Sequence, residues 1–450
     1  MIGRAEDRIS NLPDSLVHHI LSFLETNDVA RTSVLSHRWN HIWTSIPNLE
    51  FEWDGWSKPR YLTDKFIDFV DGTLHRRCLS DNSIRKFHLT TSEHLDESLL
   101  HSWISSVVSR NVKDFSLFLC ANDSSCIPLS FFTCASLTSF HLTVYPILDF
   151  PNYISFPRLK HLRLENIQLT NQCWSEKVFP NSPDLEELNL ENCRFCDPSF
   201  CISVPTLKIL RIDGTHGLDE CALKIHAPNL VTLYYTGYVA KEYVLSSFLM
   251  LEEAVVHLSA PGPREEETGQ VEAVRQFFRA LTHVKCLTVK NPPLQAKYLP
   301  RNSTAYHNIK QLKITQEVNS DVAVIALLKV TPNLESLVIE KKEPFRGIGH
   351  VYEKKDDDNE DDGLTLDMLD TGCLFLHLKS VCFMPIIWGP KEISFLKVIL
   401  RNARALQSLT VYHDNSRRPL KVAEQELMVE IQNFPRASES CTFKISIGSQ

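Results

Sequence analysis

The chain has 450 residues, of which 43% are hydrophobic and 23% are charged, a balance typical of folded proteins and not of disordered chains. Its formal net charge is −8, and the segment from Glu353 to Asp362, with seven acidic residues and two lysines, supplies most of that charge. Because the remainder is close to neutral, the composition excludes the strongly basic surface that nucleic-acid binding requires.

Targeting and redox features indicate a protein of the cytoplasm, the nucleus or both, with no membrane partner. The first ten residues contain no apolar stretch like that of a signal peptide. The most apolar run, Val322 to Val330, is too short to span a bilayer and contains Lys329. The thirteen cysteines are odd in number, and we expect free thiols that pack mostly as small hydrophobic side chains.

Three short helices are predicted at the N-terminus. Asn11 or Ser10 can cap the first helix, and Pro13 suits its first turn, where a missing N–H costs nothing. An apolar stripe follows at spacings of four residues, at Leu16, Ile20 and Leu24. Asp28 and Ser36 are candidate caps for a second and a third helix, the third carrying Trp39 and Trp43.

So small a module cannot bury this many large apolar groups by itself, which predicts an exposed apolar face and a partner. The segment RISNLPDSLVHHILSFLETNDVARTSVLSHRWNHIWTSIPNLEF resembles the F-box of plant F-box proteins. It departs from many relatives at Glu25-Thr26-Asn27, where they have a proline-containing turn. Taken residue by residue, Trp39 and Trp43 are better explained as the core of a free three-helix domain, and the contiguous pattern is what favours the F-box.

The resemblance implies binding to a Skp-type adaptor protein and, through it, to a cullin and a RING protein. Carried over to the matching positions, it implies an adaptor-binding set of eight residues, which are Leu12, Pro13, Leu16, Ile20, Val34, Leu35, Arg38 and Trp39.

Leucine-rich repeats are predicted after this module. The template L-x-x-L-x-L recurs at intervals of mostly 21 to 28 residues. Its predicted starts are Ile84, Val112, Leu137, Leu159, Leu185, Leu207, Leu230, Leu251, Val284, Ile309 and Leu334. One such unit cannot bury its own apolar face, so neighbouring units stack into a curved solenoid with a parallel sheet. The polar residues 260–270 are predicted to form a loop.

Alternation along these strands predicts which side chains reach the concave face of the solenoid. A protein-recognition surface there is the functional interpretation, and a merely solvated sheet face is the alternative. The candidate target-binding residues on this face are His161, Arg163, Arg211, Tyr234, His257 and Lys313.

Beyond the acidic segment the repeat pattern resumes, with strands predicted at Leu378–Phe383 and Leu406–Val411 and a helix over Lys391–Ala405. The block from WGPKEISFLKVILRNARALQSLTVYH to FPRASESCTFKIS resembles the FBD domain that follows F-box and repeat regions in plants. We expect it to continue or cap the solenoid, because a terminal unit must cover the last apolar edge.

The predicted organisation is therefore an α/β chain in five parts. These are an F-box (1–50), a linker or first packing segment (51–80), leucine-rich repeats (81–350), an acidic loop (351–363) and an FBD domain with a C-terminal cap (364–450).

The sequence contains no recognisable catalytic or metal-binding motif. Cys193 and Cys196 have metal-like spacing, but no second pair completes a zinc site. Phosphate-binding and hydrolase signatures do not occur. We therefore predict a non-catalytic protein without cofactors, and the F-box resemblance implies that it recruits an unknown target protein to a ubiquitin ligase, where proximity accelerates transfer.

Two other functions stay open at this point. One is a receptor of the same ligase class that requires a small molecule, for which a convergent polar pocket or basic cluster would be needed. The other is a leucine-rich-repeat scaffold that works independently of ubiquitination. Adaptor binding separates both ligase readings from the scaffold.

Overall fold

The computed structural model describes residues 12–53, 59–78, 83–91, 95–120, 127–145, 154–259, 267–290, 306–316, 321–341, 375–384, 390–414, 426 and 429–448. The chain divides into two compact units, Met1–Ala227 and Pro228–Gln450. The predicted acidic loop lies outside the described residues. Within the described segments, no helix combines the length and the apolarity that crossing a membrane requires.

The first unit begins with the predicted small helices. They are α1 (Asp14–Leu21), α2 (Thr26–Arg31) and α3 (His37–Ile42), with 3-10 turns at Thr32–Val34 and Trp43–Ser45. Ser36 caps α3 by accepting a hydrogen bond from the backbone N–H of Trp39, as predicted. The expected cap at Asp28 is wrong, because α2 already starts at Thr26 and Asp28 lies inside its first turn.

The rest of the first unit alternates strands with helices and turns. Its strands are β1 (Asn48–Trp53), β2 (Lys86–Thr91), β3 (Asp114–Cys120), β4 (Ser139–Tyr145), β5 (His161–Glu165), β6 (Gln168–Leu169), β7 (Glu187–Glu191), β8 (Arg194–Phe195), β9 (Ser199–Ser203), β10 (Ile209–Thr215) and β11 (Ala222–His226). Its longer helices are α4 (Arg60–Cys78), α5 (Glu97–Val108) and the π-helix Asn171–Val178, with 3-10 turns at Phe131–Thr133 and Leu218–Glu220.

Parallel pairing joins these strands in the order β1-β2-β3-β4-β5-β7-β10. Two shorter parallel pairs, β6 with β8 and β9 with β11, lie outside this sheet. Residues 51–80, predicted as a linker or first packing segment, contain the end of β1 and all of α4. The aromatic rings of Phe51 on β1 and Phe69 on α4 lie 5.8 Å apart, so this helix packs directly on the first strand.

The second unit repeats the same plan. Its strands are β12 (Thr232–Tyr238), β13 (Glu242–Leu245), β14 (Glu253–Ser259), β15 (Cys286–Lys290), β16 (Gln311–Gln316), β17 (Ser336–Lys341), β18 (Ser380–Met384), β19 (Ser408–Asp414) and β20 (Thr442–Gly448). Its helices are α6 (Glu267–Arg279), α7 (Asp321–Val330) and α8 (Pro390–Asn402). The sheet order is β12-β14-β15-β16-β17-β18-β19-β20, all parallel.

The leucine template determines where the strands begin. Every predicted start from Ile84 to Leu334 is almost fully buried, and a strand begins two residues after each one. The same offset holds for Leu378 before β18 and Leu406 before β19. The first apolar residue of each repeat therefore anchors the turn into the core, and the next two inward residues line the buried face of the strand. The predicted parallel repeat sheet is confirmed.

One expected loop is wrong in part. Residues 260–266 lie outside the described segments, but Glu267–Arg279 is helical, so positions 267–270 belong to α6. The Pro- and Gly-containing run favoured a loop, yet Ala273, Val274, Phe277 and Phe278 are buried at helical spacing. That apolar face fixes the helix, because its burial outweighs the local preference of the polar run for a loop.

A tight turn after β10 requires glycine. Gly217 has a φ of +78°, and a Cβ at this position would lie 2.4 Å from the backbone oxygen of Phe195. We expect Gly217→Ala to lower the free energy of unfolding by about 1–3 kcal/mol from backbone strain, with the clash adding to that loss. Chemical denaturation of the purified chain measures the change.

The matched control is Gly72→Ala, in the interior of α4. A Cβ there meets nothing within 4 Å, and the helix favours alanine over glycine by about 0.5–1 kcal/mol. Stabilisation by Gly72→Ala together with destabilisation by Gly217→Ala is the expected pair of results. Equal effects of the two substitutions would contradict the assigned role of the Gly217 turn.

Candidate functional site: an apolar helical face and the repeat strands

The N-terminal helices enclose a small core. Val17 and Leu21, four residues apart on α1, are buried with side chains from α2 and α3 and the turn that follows. The other members of this core are Val29, Trp39, Ile42, Trp43 and Ile46, with Leu12 and Ala30 packed partly against it.

A second set of apolar side chains on the same helices points to solvent. Leu16 and Ile20 lie about 100° around α1 from Val17 and Leu21 and are exposed, and Phe23 and Leu24 follow in the turn after it. Val34 is 86% exposed and Phe23 is 75% exposed. The exposed apolar set of this module is Leu16, Ile20, Phe23, Leu24, Val34 and Leu35, and we call it the helical apolar face. Such a concentration on about forty residues marks an interaction surface.

Of the eight predicted adaptor-binding residues, five lie on or beside this face and three do not. Leu16, Ile20, Val34 and Leu35 belong to the face, Pro13 is exposed beside it, and Leu12 is partly buried. Trp39, at 3% exposure, lies in the core behind the face. From this position Trp39 can support the helical apolar face by packing behind it. Direct contact between Trp39 and an adaptor stays a prediction.

Arg38 has an internal role as well as a partly exposed position. Its guanidinium pairs with the Asp14 carboxylate, with 3.1 Å between Nε and Oδ1, and also donates to the backbone oxygen of Leu12. The hydrogen bond from Arg38 holds the pKa of Asp14 below its ordinary value. Arg38 thereby ties α3 to the start of α1, next to Pro13.

The sequence-based set lacks Phe23 and Leu24, which the structure adds to the face. The signal for Leu24 was present, because it follows Ile20 at the same spacing of four that joins Ile20 to Leu16. Phe23 lies in the turn after α1, seven residues after Leu16, and its ring lies 5.0 Å from that of His19.

The module is joined to the first strand by specific contacts. The backbone N–H of Glu50 on β1 donates to Thr26 Oγ1 on α2, at 2.6 Å. Arg77, almost fully buried at the end of α4, donates to the backbone oxygen of Ile46, and burial lowers its pKa to about 10. The guanidinium of Arg76 lies 5.7 Å from the Trp43 ring centroid. These contacts fix the helices against the start of the sheet.

Burial alternates along the repeat strands, as their sequence pattern predicts. On β5, His161 and Arg163 are exposed while Leu162 and Leu164 are buried, and β7 and β10 follow the same alternation. Arg163 lies in register with His141 on β4 and Asn189 on β7, and Asn189 is in register with Arg211. Three of the six predicted target-binding residues, His161, Arg163 and Arg211, therefore share one face of the first unit.

That face carries a shallow, open depression of about 440 Å³. Its lining includes His88, His141, His161 and Arg163, with the small side chains Ser116 and Ser139 between the larger ones. Burial lowers the pKa of His141 to about 4, and the positive charge of Arg163 acts in the same direction. The His141 ring is therefore neutral at physiological pH and hydrogen-bonds Ser116 and Thr143, each at 3.3 Å.

The other three predicted residues lie on strands of the second unit. Tyr234 and His257 are half-buried on the paired strands β12 and β14, and Lys313 is exposed on β16. Lys313 pairs with Glu340 on the next strand at 3.2 Å, just as Arg163 pairs with Glu191 at 2.7 Å. In both pairs the acid stands two positions further along the neighbouring strand. These cations are thus neutralised within the chain, which the sequence did not reveal.

Clusters of side chains that could bind a metal ion or act in catalysis are sparse among the described residues. No group of three or more His, Cys, Asp and Glu side chains in those segments is arranged to bind a metal ion. Cys193 is buried, and burial raises the pKa of its thiol to about 12, so it behaves as a core residue.

Parallel strands that each follow a leucine template, preceded by helices with an apolar outer face, define a leucine-rich-repeat protein with an N-terminal interaction module. Comparisons with protein families agree. The F-box domain model matches residues 9–51, the leucine-rich-repeat model of an FBD-associated F-box protein (At5g56370) matches residues 100–247, and the FBD model matches residues 371–411.

Similar proteins are found in Arabidopsis thaliana. The putative F-box protein At1g58310 is 32% identical over 78% of this chain and 76% of its own length. The F-box/LRR-repeat protein At4g14096 is also 32% identical, over 78% of this chain and 75% of its own length. The F-box/FBD/LRR-repeat protein At1g51370 is 28% identical over 98% of this chain and 96% of its own length. The chain belongs to the plant F-box/FBD/LRR-repeat family.

Proposed function

We propose that the protein is a non-catalytic substrate-recognition subunit of a Skp–cullin–F-box ubiquitin ligase, acting in the cytoplasm, the nucleus or both. In this proposal the helical apolar face binds a Skp-type adaptor, which connects the chain to a cullin and a RING protein. The repeat strands bind the target protein. Ubiquitin transfer is then accelerated because the target is held near the conjugating enzyme.

The observation that carries the proposal is the helical apolar face itself. Six large apolar side chains that point outward from so small a module stabilise nothing in the isolated chain. The core of a protein interface is more apolar than the rest of the surface. Burying apolar surface there stabilises a complex by about 25 cal/mol per Å². F-box membership supports a Skp-type adaptor as the occupant.

Co-purification tests the proposal. The intact chain is expressed with a Skp-type adaptor, beside a chain carrying Leu12→Ala and Pro13→Ala together. We expect the intact chain to retain the adaptor and the double variant to retain less, because Pro13 is exposed beside the face and Leu12 supports it. Failure of the intact chain to retain the adaptor would contradict the proposal and favour a scaffold that works without the ligase.

Target binding is proposed for the repeat face of the first unit, around His161 and Arg163. Arg163→Glu places a second acid beside Glu191, and Arg211→Glu reverses the charge on the same row. We expect the two substitutions together to weaken the labelling of target proteins in a proximity-labelling experiment and to leave adaptor binding intact.

The control for that experiment is Arg158→Glu, an equal change of charge at an exposed site in the turn before β5. It should leave the labelled set unchanged. If the paired reversal also left that set unchanged, the target would bind elsewhere. Lys86 and Arg163, which line the depression in this face, are paired with Glu50 and Glu191, so this depression does not favour a small-molecule receptor.

A further inference from the structure

Among the described residues, the last strand of the second unit's sheet pairs with a neighbouring strand on one side only. β20 pairs with β19 over its whole length, from Thr442 to Gly448, and it is the final strand in the order of the described residues. In the first unit, the outer edge of β1 is met by α2, whose Thr26 accepts the Glu50 N–H, and Leu49 and Phe51 of β1 are buried. A helix therefore contacts the outer edge of β1, whereas β20 is the last of the described strands in its sheet.

Exposure shows the difference at the core-facing positions of β20. Ile445 is 40% exposed, whereas the equivalent residues on the two preceding strands, Val411 and Phe383, are 0% and 1% exposed. Phe443 is half-buried, and its counterpart Leu409 is fully buried. An apolar strand edge of this kind is a template for pairing with another strand.

The backbone groups that point to the open edge follow from the pairing with β19. The N–H of Thr442 donates to the backbone oxygen of Gln407, at 2.9 Å, so Thr442 faces β19. Successive residues of a strand direct their backbone groups to opposite sides, and the N–H and C=O groups of Phe443 and Ile445 therefore point away from β19. Within the described segments, no strand pairs with these groups.

The sequence of β20 is self-complementary in one antiparallel register. Ile445 is the middle residue of the seven-residue strand, and a two-fold axis at Ile445 pairs every residue of the strand with the second copy. Ile445 then meets its own copy on the core face, and Lys444 meets Ser446 on the other face. A two-fold axis at Lys444 would instead place two lysines directly opposite each other, which is unfavourable.

We propose that two copies of this chain associate through β20, which pairs antiparallel with β20 of the second copy about a two-fold axis at Ile445. The outward groups of both strands then form about six main-chain hydrogen bonds. The pairing covers the exposed part of Ile445 in both copies and joins their second-unit sheets. An isologous contact of this kind closes on itself, so it yields a dimer and not a filament.

The experiment measures the mass of the full chain in complex with its adaptor by sedimentation, over a range of concentrations. Two substitutions at one exposed site form a matched pair. Ser446→Lys places like charges opposite Lys444 of the second copy, and Ser446→Glu places opposite charges there. Since each contact occurs twice, we expect Ser446→Lys to weaken the dimer about threefold or more and Ser446→Glu to tighten it.

Hydrogen exchange reports the register independently of the mass. With rising concentration, the amides of Phe443 and Ile445 should become protected, while the amide of Lys444, which already faces β19, should not change. A chain that stays monomeric, or a dimer that responds equally to both substitutions at Ser446, would overturn the proposal. So would protection of Phe443 and Ile445 that is independent of concentration, because another segment of the same chain would then cover the edge.

One control separates this contact from the N-terminal module. Val34→Asp, on the helical apolar face, should leave the β20 dimer intact when the chain is studied without adaptor. Loss of the dimer in that variant would place the association at the helical apolar face instead, and would overturn the proposed β20 interface while leaving the proposed adaptor function untouched.

Discussion

Replacing Val34 and Leu35 together with aspartate is expected to lower the affinity for a Skp-type adaptor by about 100-fold or more. Both side chains are largely exposed in the free chain, so the substitutions cost its folding little. In the proposed complex they are buried, where two unpaired carboxylates would be strongly unfavourable. Isothermal titration of the purified chain with adaptor measures the loss.

The matched control for this prediction is Leu129→Asp. Leu129 is 72% exposed in the first unit but lies outside the N-terminal helices, so its replacement introduces one aspartate, against two in the double variant, at a comparable apolar site. It should leave the adaptor affinity unchanged. An equal loss of affinity from Leu129→Asp would mean that the effect is general and does not report the helical apolar face.

Trp39→Ala is expected to abolish adaptor binding by a different route. Trp39 is buried in the core formed by α1, α2 and α3, and deletion of a buried tryptophan side chain costs about 3–5 kcal/mol. A module of about forty residues has little stability to lose, so we expect its helices to unfold while the repeat units remain folded. Hydrogen exchange resolves the two regions.

Trp39→Phe separates the packing role from a direct contact. The indole N–H of Trp39 has no hydrogen-bond partner among the described residues, so phenylalanine retains much of the packing without breaking a bond within them. This variant should keep the N-terminal helices folded and keep most of the adaptor affinity. If it folded normally but lost the adaptor, Trp39 would have to contact the adaptor itself, as the F-box resemblance implies.

Much of the repeat fold could be predicted from the sequence, because one physical rule determines it. A leucine-like residue at each repeat start is buried, and the strand begins two residues later, from β2 at Lys86 to β17 at Ser336. The alternation of buried and exposed residues that follows is equally local, so the exposed positions of His161, Arg163 and Lys313 were predictable from spacing alone.

Other features depend on contacts that spacing does not encode. The ion pairs of Arg163 with Glu191 and of Lys313 with Glu340 join different repeats, and their geometry depends on the parallel register. Polar composition suggested a loop where α6 begins, because the buried Phe277 and Phe278 that fix the helix lie about three turns downstream. Propensity at a helix end is a weak signal compared with tertiary packing.

At the N-terminal site, too, some features were predictable from the sequence and others were not. The spacing of Leu16, Ile20 and Leu24 gave the apolar stripe on α1, but spacing alone could not say which apolar residues face the core. The structure resolves this, with Val17 and Trp39 inside and Leu16 and Val34 outside. β1 was not predicted as a strand, because its sequence also fits the end of the F-box pattern.

The central claim is tested most directly by mixing the purified chain with a Skp-type adaptor and the adaptor-binding part of a cullin, followed by size-exclusion chromatography with light scattering. The account predicts one complex that contains the chain, the adaptor and the cullin in equal numbers. Elution of the intact chain apart from a preformed adaptor–cullin complex would contradict it.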